Sequence, residues 1–317
     1  MEKSRNNKTE NKKWERFVFI DSFSYLFMKV AKLLCEMLEN PLAVDIREPR
    51  FGWILEACKN ERNKSQSAFR ILIADAISEL DKDSGNMWDS GIIQSSQSQF
   101  IKYAGKELRS RRQYFWKVKI WDEQGNDLPW SETSWFRMGI FPGDWKAKWI
   151  GEDLKVSYED RFPIAAELKD WPEWIKGAAR REHPDAQNGP ENKYAYSLYL
   201  RREISVSKPV KSMFIRIAGL GYNLLYINGK KYDGYVLDPP VSDYTKSVYY
   251  STIDITDYLE QNTLALMVVL GGGWYWMGTP ELFGFENAPW TDPPQLLCEV
   301  QIEYQDGSEE FINSDEK

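Results

Sequence analysis

The sequence predicts an all-β protein built as two β-sandwiches in tandem. Three observations carry that expectation. Short segments alternate apolar and polar residues, most clearly over Gln113 to Trp121, where Tyr114, Trp116, Val118 and Ile120 interleave with Phe115, Lys117 and Lys119. Turn residues separate such segments at short intervals, with Asn228-Gly229 and Asp306-Gly307 in hairpin form. Helical signal is confined to the region around Ala165 to Arg181, which Pro172 breaks, and to the N-terminal tail.

Met1 to Arg16 is rich in Lys, Asn, Arg and Glu and reads as a solvated tail. Phe17 to Leu34 is more apolar, but Asp21, Lys29 and Lys32 interrupt it. No small-residue cleavage site follows, and the run is too short and too charged to span a bilayer. Residues 1–27 are therefore set apart as an extension, with the first domain expected over 28–140. Its strands include Ala68 to Ala74, with Phe69, Ile71 and Ile73 on one face, and Gln113 to Trp121. Trp88 to Gly91, Tyr103 to Gly105 and Asp122 to Gly125 read as turns. Trp53, Trp88, Trp116 and Trp121 are expected in the core.

The second domain is expected over 141–317, interrupted by an insertion at 153–194 that holds the lone histidine, His183. That histidine precedes a proline in a loop and has no second His or Cys cluster near it, so it is read as a loop residue. Strand signals resume at Tyr196 to Ile204, then Met213 to Ala218 and Tyr222 to Ile227 flank Gly219-Leu-Gly221. Asn228-Gly229 calls for a type I′ turn, in which both central residues take positive φ. Leu264 to Leu270 is a continuous apolar run, expected to be a strand buried on both faces. The triplet Gly271-Gly-Gly273 ends it and presents Trp274 and Tyr275 at the strand exit. Gln295 to Tyr304 is expected to point Cys298, Val300, Ile302 and Tyr304 inward and Glu299, Gln301 and Glu303 outward. Asp306-Gly307 then turns it into Glu310-Phe-Ile312. The second sheet is expected to be unfinished at Lys317.

Composition narrows the function. At 317 residues the chain has room for about two domains. A net charge of −7 and a pI near 5.1 argue against a nucleic-acid partner, which favours a basic face. Mean hydropathy is −0.57, and neither a membrane partner nor a span is expected. Aromatic residues make up 15% of the chain, with 14 Trp, enough to fill the cores and leave some for a carbohydrate platform. Cys35, Cys58 and Cys298 lie far apart with no metal spacing and read as reduced thiols of a cytoplasmic protein. One histidine assembles no Ser/His/Asp set, and the glycine triplet lacks the Lys-Ser/Thr of a phosphate loop.

Six pieces in order are Gly219-Leu-Gly-Tyr222, Tyr226-Ile-Asn-Gly229, Leu237-Asp-Pro239, Asp243-Tyr244, Asp254-Ile-Thr256 and Gly272-Gly-Trp-Tyr275. Together they resemble the N-terminal β-domain of bacterial α-L-rhamnosidases, glycoside hydrolase family 78. Upstream, Asn40 to Ile46, Pro49 to Trp53 and Asp144 to Gly151 resemble the immunoglobulin or fibronectin-III-like module at the front of the same enzymes. The resemblance implies an immunoglobulin-like domain followed by a jelly-roll-like one. It also implies rhamnose-containing glycosides as partners, and catalytic carboxylates in a helical barrel with no counterpart in this chain. No catalytic residue is expected here, since glycoside hydrolysis needs a carboxyl pair across the scissile bond. A free-standing rhamnose-binding lectin-like protein and a non-functional remnant stay open beside the broken-enzyme reading.

The candidate carbohydrate-binding residues are Trp274, Tyr275, Tyr222, Asp243 and Tyr244, since aromatic faces cover a pyranose while carboxylates accept from its hydroxyls. Related rhamnose-binding modules sometimes hold calcium, which takes several oxygen ligands. Asn228 and Asp238, with Asp233 and Asp243 nearby in sequence, are candidate ligands. The competing reading has Asn228 in the left-handed turn position and Asp238 bonding backbone before Pro239. No other cofactor is expected.

Overall fold

Residues 28–57, 62–152, 197–276 and 288–315 are described by the computed structural model, which divides the chain between Arg137 and Met138. Cys58, His183, the Ala165 to Arg181 segment, Tyr196 and residues 277–287 lie outside the described residues.

The first unit contains β1 (Lys29–Cys35), β2 (Arg50–Glu56), β3 (Ala68–Ala74), a single helical turn α1 (Ile77–Leu80), β4 (Trp88–Asp89), β5 (Ile93–Gln94), β6 (Ile101–Lys102), β7 (Gln113–Trp121) and β8 (Ser134–Arg137). One sheet runs β1-β2-β6 and the other β4-β3-β7-β8, with β5 also on β3. Every pairing is antiparallel. The period-two residues of β7 do what alternation dictates: Tyr114, Trp116, Val118 and Ile120 are all buried. Phe51 from the first sheet packs edge-on to Trp116 and Phe136 of the second, with ring centroids 4.8 and 5.3 Å apart. Trp53 meets Phe69 at 5.1 Å and donates its indole N–H to Gln66 Oε1 at 2.8 Å, which satisfies a polar group that burial would otherwise penalise.

Several expectations need correction here. Trp88-Asp89 is a strand pairing with Leu72 and Ile73, not a turn; Gly91, with φ of 62°, makes the turn after it. Trp88 and Trp121 are only half-buried, whereas Trp53 and Trp116 are fully buried. Lys117, on the polar side of the alternation, is buried as well. Its ammonium donates to Leu80 O at 2.6 Å, pairs with Asp83 at 2.5 Å and lies 4.7 Å from the centre of the Trp130 ring. A loop and a helical turn cover that face, which period alone does not reveal.

The second unit contains β9 (Ile150–Gly151), β10 (Leu198–Ser205), β11 (Val210–Leu220), β12 (Tyr222–Ile227), β13 (Lys230–Lys231), β14 (Ser251–Asp254), β15 (Thr263–Gly271), β16 (Gln295–Tyr304) and β17 (Glu309–Asn313). One sheet is ordered β14-β11-β16-β17, with β9 also on β16, and the facing sheet β10-β15-β12-β13. Their inner faces share one apolar core, to which β11 gives Met213, Ile215 and Ile217 and β15 gives Leu264, Leu266, Val268 and Leu270. The chain passes from one sheet to the other at Gly221. Its φ is +101°, and a Cβ there would lie 2.2 Å from Gly271 O, so only glycine fits this corner.

The two hairpins form as turn chemistry demands. Asn228 and Gly229 both take positive φ, 49° and 78°, and join β12 to β13. Gly307, at 82°, joins β16 to β17. Two burial expectations fail. β15 is buried on one face only, its Ala265, Met267 and Val269 remaining half-exposed. Glu299 and Gln301 of β16 face away from the apolar core yet are 0% and 1% exposed. Arg216, their neighbour on β11 and itself fully buried, reaches Glu299 Oε1 at 3.4 Å and donates to Gln301 Oε1 at 2.9 Å. Both faces of this sheet are covered, and its second face buries a charged cluster.

Candidate functional site

The end of the β12–β15 pair gathers the residues that sequence pattern singled out. After β15, the glycines let the chain turn tightly, with Trp276 N donating to Gly272 O at 2.9 Å. A Cβ on Gly272 would meet Trp276 O at 2.1 Å, and one on Gly273 would meet the Tyr222 ring at 2.6 Å. The turn thus lies directly against Tyr222. It separates the two exit aromatics: Trp274 is 37% exposed and Tyr275 only 6%. Tyr275 is therefore not the exposed platform residue expected. Its ring packs edge-on to Tyr244 at 5.3 Å, and burial pushes its phenol up to about 12. Tyr244 is half-buried and lies 6.1 Å from the ring of Trp290. Burial, then the neighbouring Tyr222 hydroxyl, raises the Tyr244 phenol. Tyr222, Tyr244 and Tyr275 thus come together, with Trp274 on the rim.

Trp290 was missed, and so was Asp292, whose charge raises the Tyr275 phenol after burial has done so. Their segment reads in sequence only as loop, and the one available signal was the aromatic-then-acid order of Trp290-Thr-Asp292.

Asp243, beside Tyr244, is exposed. Its Oδ1 accepts from Thr245 N at 3.1 Å and Thr245 Oγ1 at 2.5 Å, and its Oδ2 pairs with Lys246 at 2.8 Å. Lys246 and then Thr245 bring its carboxyl down to about 2, so it stays an acceptor across the physiological range.

The calcium candidates do not converge. Asp238 is bridged to Asn223 near the start of β12, whereas Asn228 follows the other end of that strand. Asp238 is 8% exposed; its Oδ2 accepts from Asn223 Nδ2 at 3.1 Å and its Oδ1 from Ser251 Oγ at 2.5 Å. Asn228 Oδ1 accepts from Ala265 N at 2.9 Å, and its Nδ2 donates to Tyr258 O at 2.7 Å. The oxygens a calcium ion would need are already held by protein donors, and two ligands at opposite ends of a strand cannot share one ion. Among the described residues no group of three or more His, Cys, Asp or Glu is placed to hold a metal.

Fold and site together define a tandem β-sandwich protein with an aromatic cluster at the end of one sheet. Residues 30–142 match the Rha78A-like, N-terminal immunoglobulin domain, and residues 208–317 match the alpha-L-rhamnosidase N-terminal domain. The chain carries, in order, the two domains of the N-terminal region of the α-L-rhamnosidases. It is 36% identical over 295 residues to an alpha-L-rhamnosidase of Formosa agariphila, 90% of this chain and 29% of the relative. It is 27% identical over 279 residues to one of Alteromonas sp., 87% of this chain and 27% of the relative. The solved alpha-L-rhamnosidase from Dictyoglumus thermophilum superposes with a TM-score of 0.72 at 33% identity, over 90% of this chain and 29% of its own. The Streptomyces avermitilis alpha-L-rhamnosidase complexed with L-rhamnose shares the fold, with a TM-score of 0.71 at 20% identity over 91% of this chain and 40% of that one. The chain thus spans under a third of the length of the curated relatives it matches.

Proposed function

We propose that this chain serves as the non-catalytic N-terminal part of an α-L-rhamnosidase and binds rhamnose-containing glycosides at the Trp274 rim. The observation that carries the reading is the split at the strand exit. Tyr275 anchors the turn in the Tyr244–Trp290 cluster, while Trp274 keeps a partly exposed ring; Asp243, next to Tyr244 in the chain, stays ionised. A ring held by a packed turn loses little conformational freedom on binding, so a weak stacking contact can register as affinity. The methyl-bearing, partly apolar face of rhamnose suits the indole, and its hydroxyls suit a carboxylate acceptor. Rhamnosides are the ligand class because the relatives are α-L-rhamnosidases. A cytoplasmic setting is part of the same reading: Cys35 and Cys298 are free thiols, both raised by burial, Cys298 to about 12, and so largely protonated and unreactive.

The test is a rhamnose titration read by tryptophan fluorescence and by ligand-detected saturation-transfer NMR. Binding in the millimolar range, about −4 kcal/mol, is expected. Trp274→Ala should abolish it while moving the unfolding midpoint by no more than about 2 °C. Unchanged binding in a folded Trp274→Ala protein would refute the site.

A further inference from the structure

We propose that the rhamnose site continues along the outer face of the β10–β15–β12 sheet, and that this face holds the second sugar of a rhamnoside, the unit to which rhamnose is joined. The inference rests on the preceding reading and extends it. The strand register lays the face out in rows. Tyr222 stands opposite Gly271; Leu224 opposite Val269, with Tyr199 beyond; and Tyr226 opposite Met267, with Arg201 beyond. The residues between them along each strand, such as Leu225, Val268 and Leu270, point into the core, so these rows all face outward. Tyr199 is 67% exposed and Leu224 38%.

Continuity with the Trp274 rim comes from Gly271. A Cβ built there meets nothing within 4 Å, so the surface is open opposite Tyr222, whose ring lies against the Gly273 turn that carries Trp274. From the Tyr222 row to the Tyr226 row is four residues, about 13 Å, longer than a single pyranose. The far end widens into a groove of about 520 Å³ whose lining includes Arg201, Glu203, Asn228, Ala265 and Met267.

The chemistry of that face is amphipathic in the way a pyranose is. Tyrosine rings and the Met267 side chain offer apolar contact to C–H groups, while Arg201 and Glu203 offer donors and acceptors to neighbouring hydroxyls. These two form an ion pair with side chains 61% and 66% exposed. Such a pair holds little energy of its own, so exchanging it for hydroxyl contacts costs little. A protein partner or a second copy of the chain would be served by a continuous apolar patch; a charged pair in the third row favours a polyhydroxylated ligand instead.

The test compares L-rhamnose with a rhamnosyl-glucose disaccharide on the full chain, by titration calorimetry and saturation-transfer NMR. The disaccharide should bind about tenfold tighter, roughly 1.4 kcal/mol. Tyr199→Ala should remove that gain and leave rhamnose affinity unchanged. Gly271→Leu, at a backbone position without positive φ, should put a side chain across this open surface and also remove the gain. Equal affinity for the two sugars, or a gain that survives both variants, overturns the inference while leaving the Trp274 site standing. Disaccharide binding that depends on Tyr199 without any rhamnose binding supports the face and refutes the Trp274 reading. Self-association that disappears in Tyr199→Ala would make the face a subunit contact and overturn the proposal.

Discussion

Arg216 and Glu299 are cross-strand partners on β11 and β16, both fully buried, with Gln301 completing the set. A buried ion pair is weak evidence of net stabilisation, because desolvation of both charges offsets their attraction. Removing one partner is different, since the other keeps its desolvation cost and loses the opposite charge that offset it. Glu299→Ala should therefore destabilise the second unit by about 3–5 kcal/mol, seen as a lower urea midpoint. A change under about 1 kcal/mol would mean that Arg216 is compensated elsewhere. Asp306 shows the opposite regime, an exposed carboxylate held by its own turn. It accepts from Ser308 N at 2.9 Å and Ser308 Oγ at 2.5 Å and pairs with Lys208 at 3.0 Å. Ser308 and then Lys208 lower its pKa from 3.8 to about 2. A depressed carboxylate adds stability that is complete above 3.8 and lost as pH falls through about 2. Urea midpoints should drop across that window, and Asp306→Asn should flatten the drop; parallel profiles would show that the turn contributes nothing.

Among the elements, the corner at Gly221 decides most. β11 and β12 are consecutive, separated by one residue, yet lie in different sheets, so the chain must turn without room for a side chain. Gly221→Ala combines an unfavourable left-side φ with a Cβ pressed on the Gly271 and Gly272 carbonyls at 2.2 and 2.9 Å. It should cost more stability than Gly229→Ala, where φ is also positive but the space is open. Thermal unfolding of the two variants checks the order. A smaller loss at Gly221 would mean that the corner can move away from β15.

For the whole molecule, the described residues are strands joined by turns, with only Ile77–Leu80 in α-helix and Thr256–Tyr258 in a 3-10 turn. The proposed site offers rings packed edge-on and tilted and the ionised carboxylate of Asp243. The purified chain should accordingly leave an aryl α-L-rhamnoside intact; turnover that copurifies with the polypeptide and exceeds an enzyme-free control would contradict the non-catalytic reading.

What the sequence determined by itself is local. The alternation in Gln113 to Trp121 and in Ala68 to Ala74 marked β7 and β3, because side chains on a strand point to opposite faces and need no distant partner to do so. Asn228-Gly229 and Asp306-Gly307 marked their hairpins because few residues accept positive φ. The ordered pieces from Gly219 to Tyr275 marked the second domain for the same reason, since most of them are turns, corners and strand exits. Tertiary structure alone decided which faces are covered. Lys117 is buried because α1 and Trp130 close over it, and Glu299 because Arg216 stands opposite it on β11. It also decided that Tyr275 is an anchor and Trp274 a rim residue: the packing of Tyr244 and Trp290, distant in sequence, selects one of two adjacent aromatics for the interior. Asn228 and Asp238, near in sequence, were parted in the same way, because a strand spends every residue on distance and each side chain found a backbone or side-chain partner at its own end.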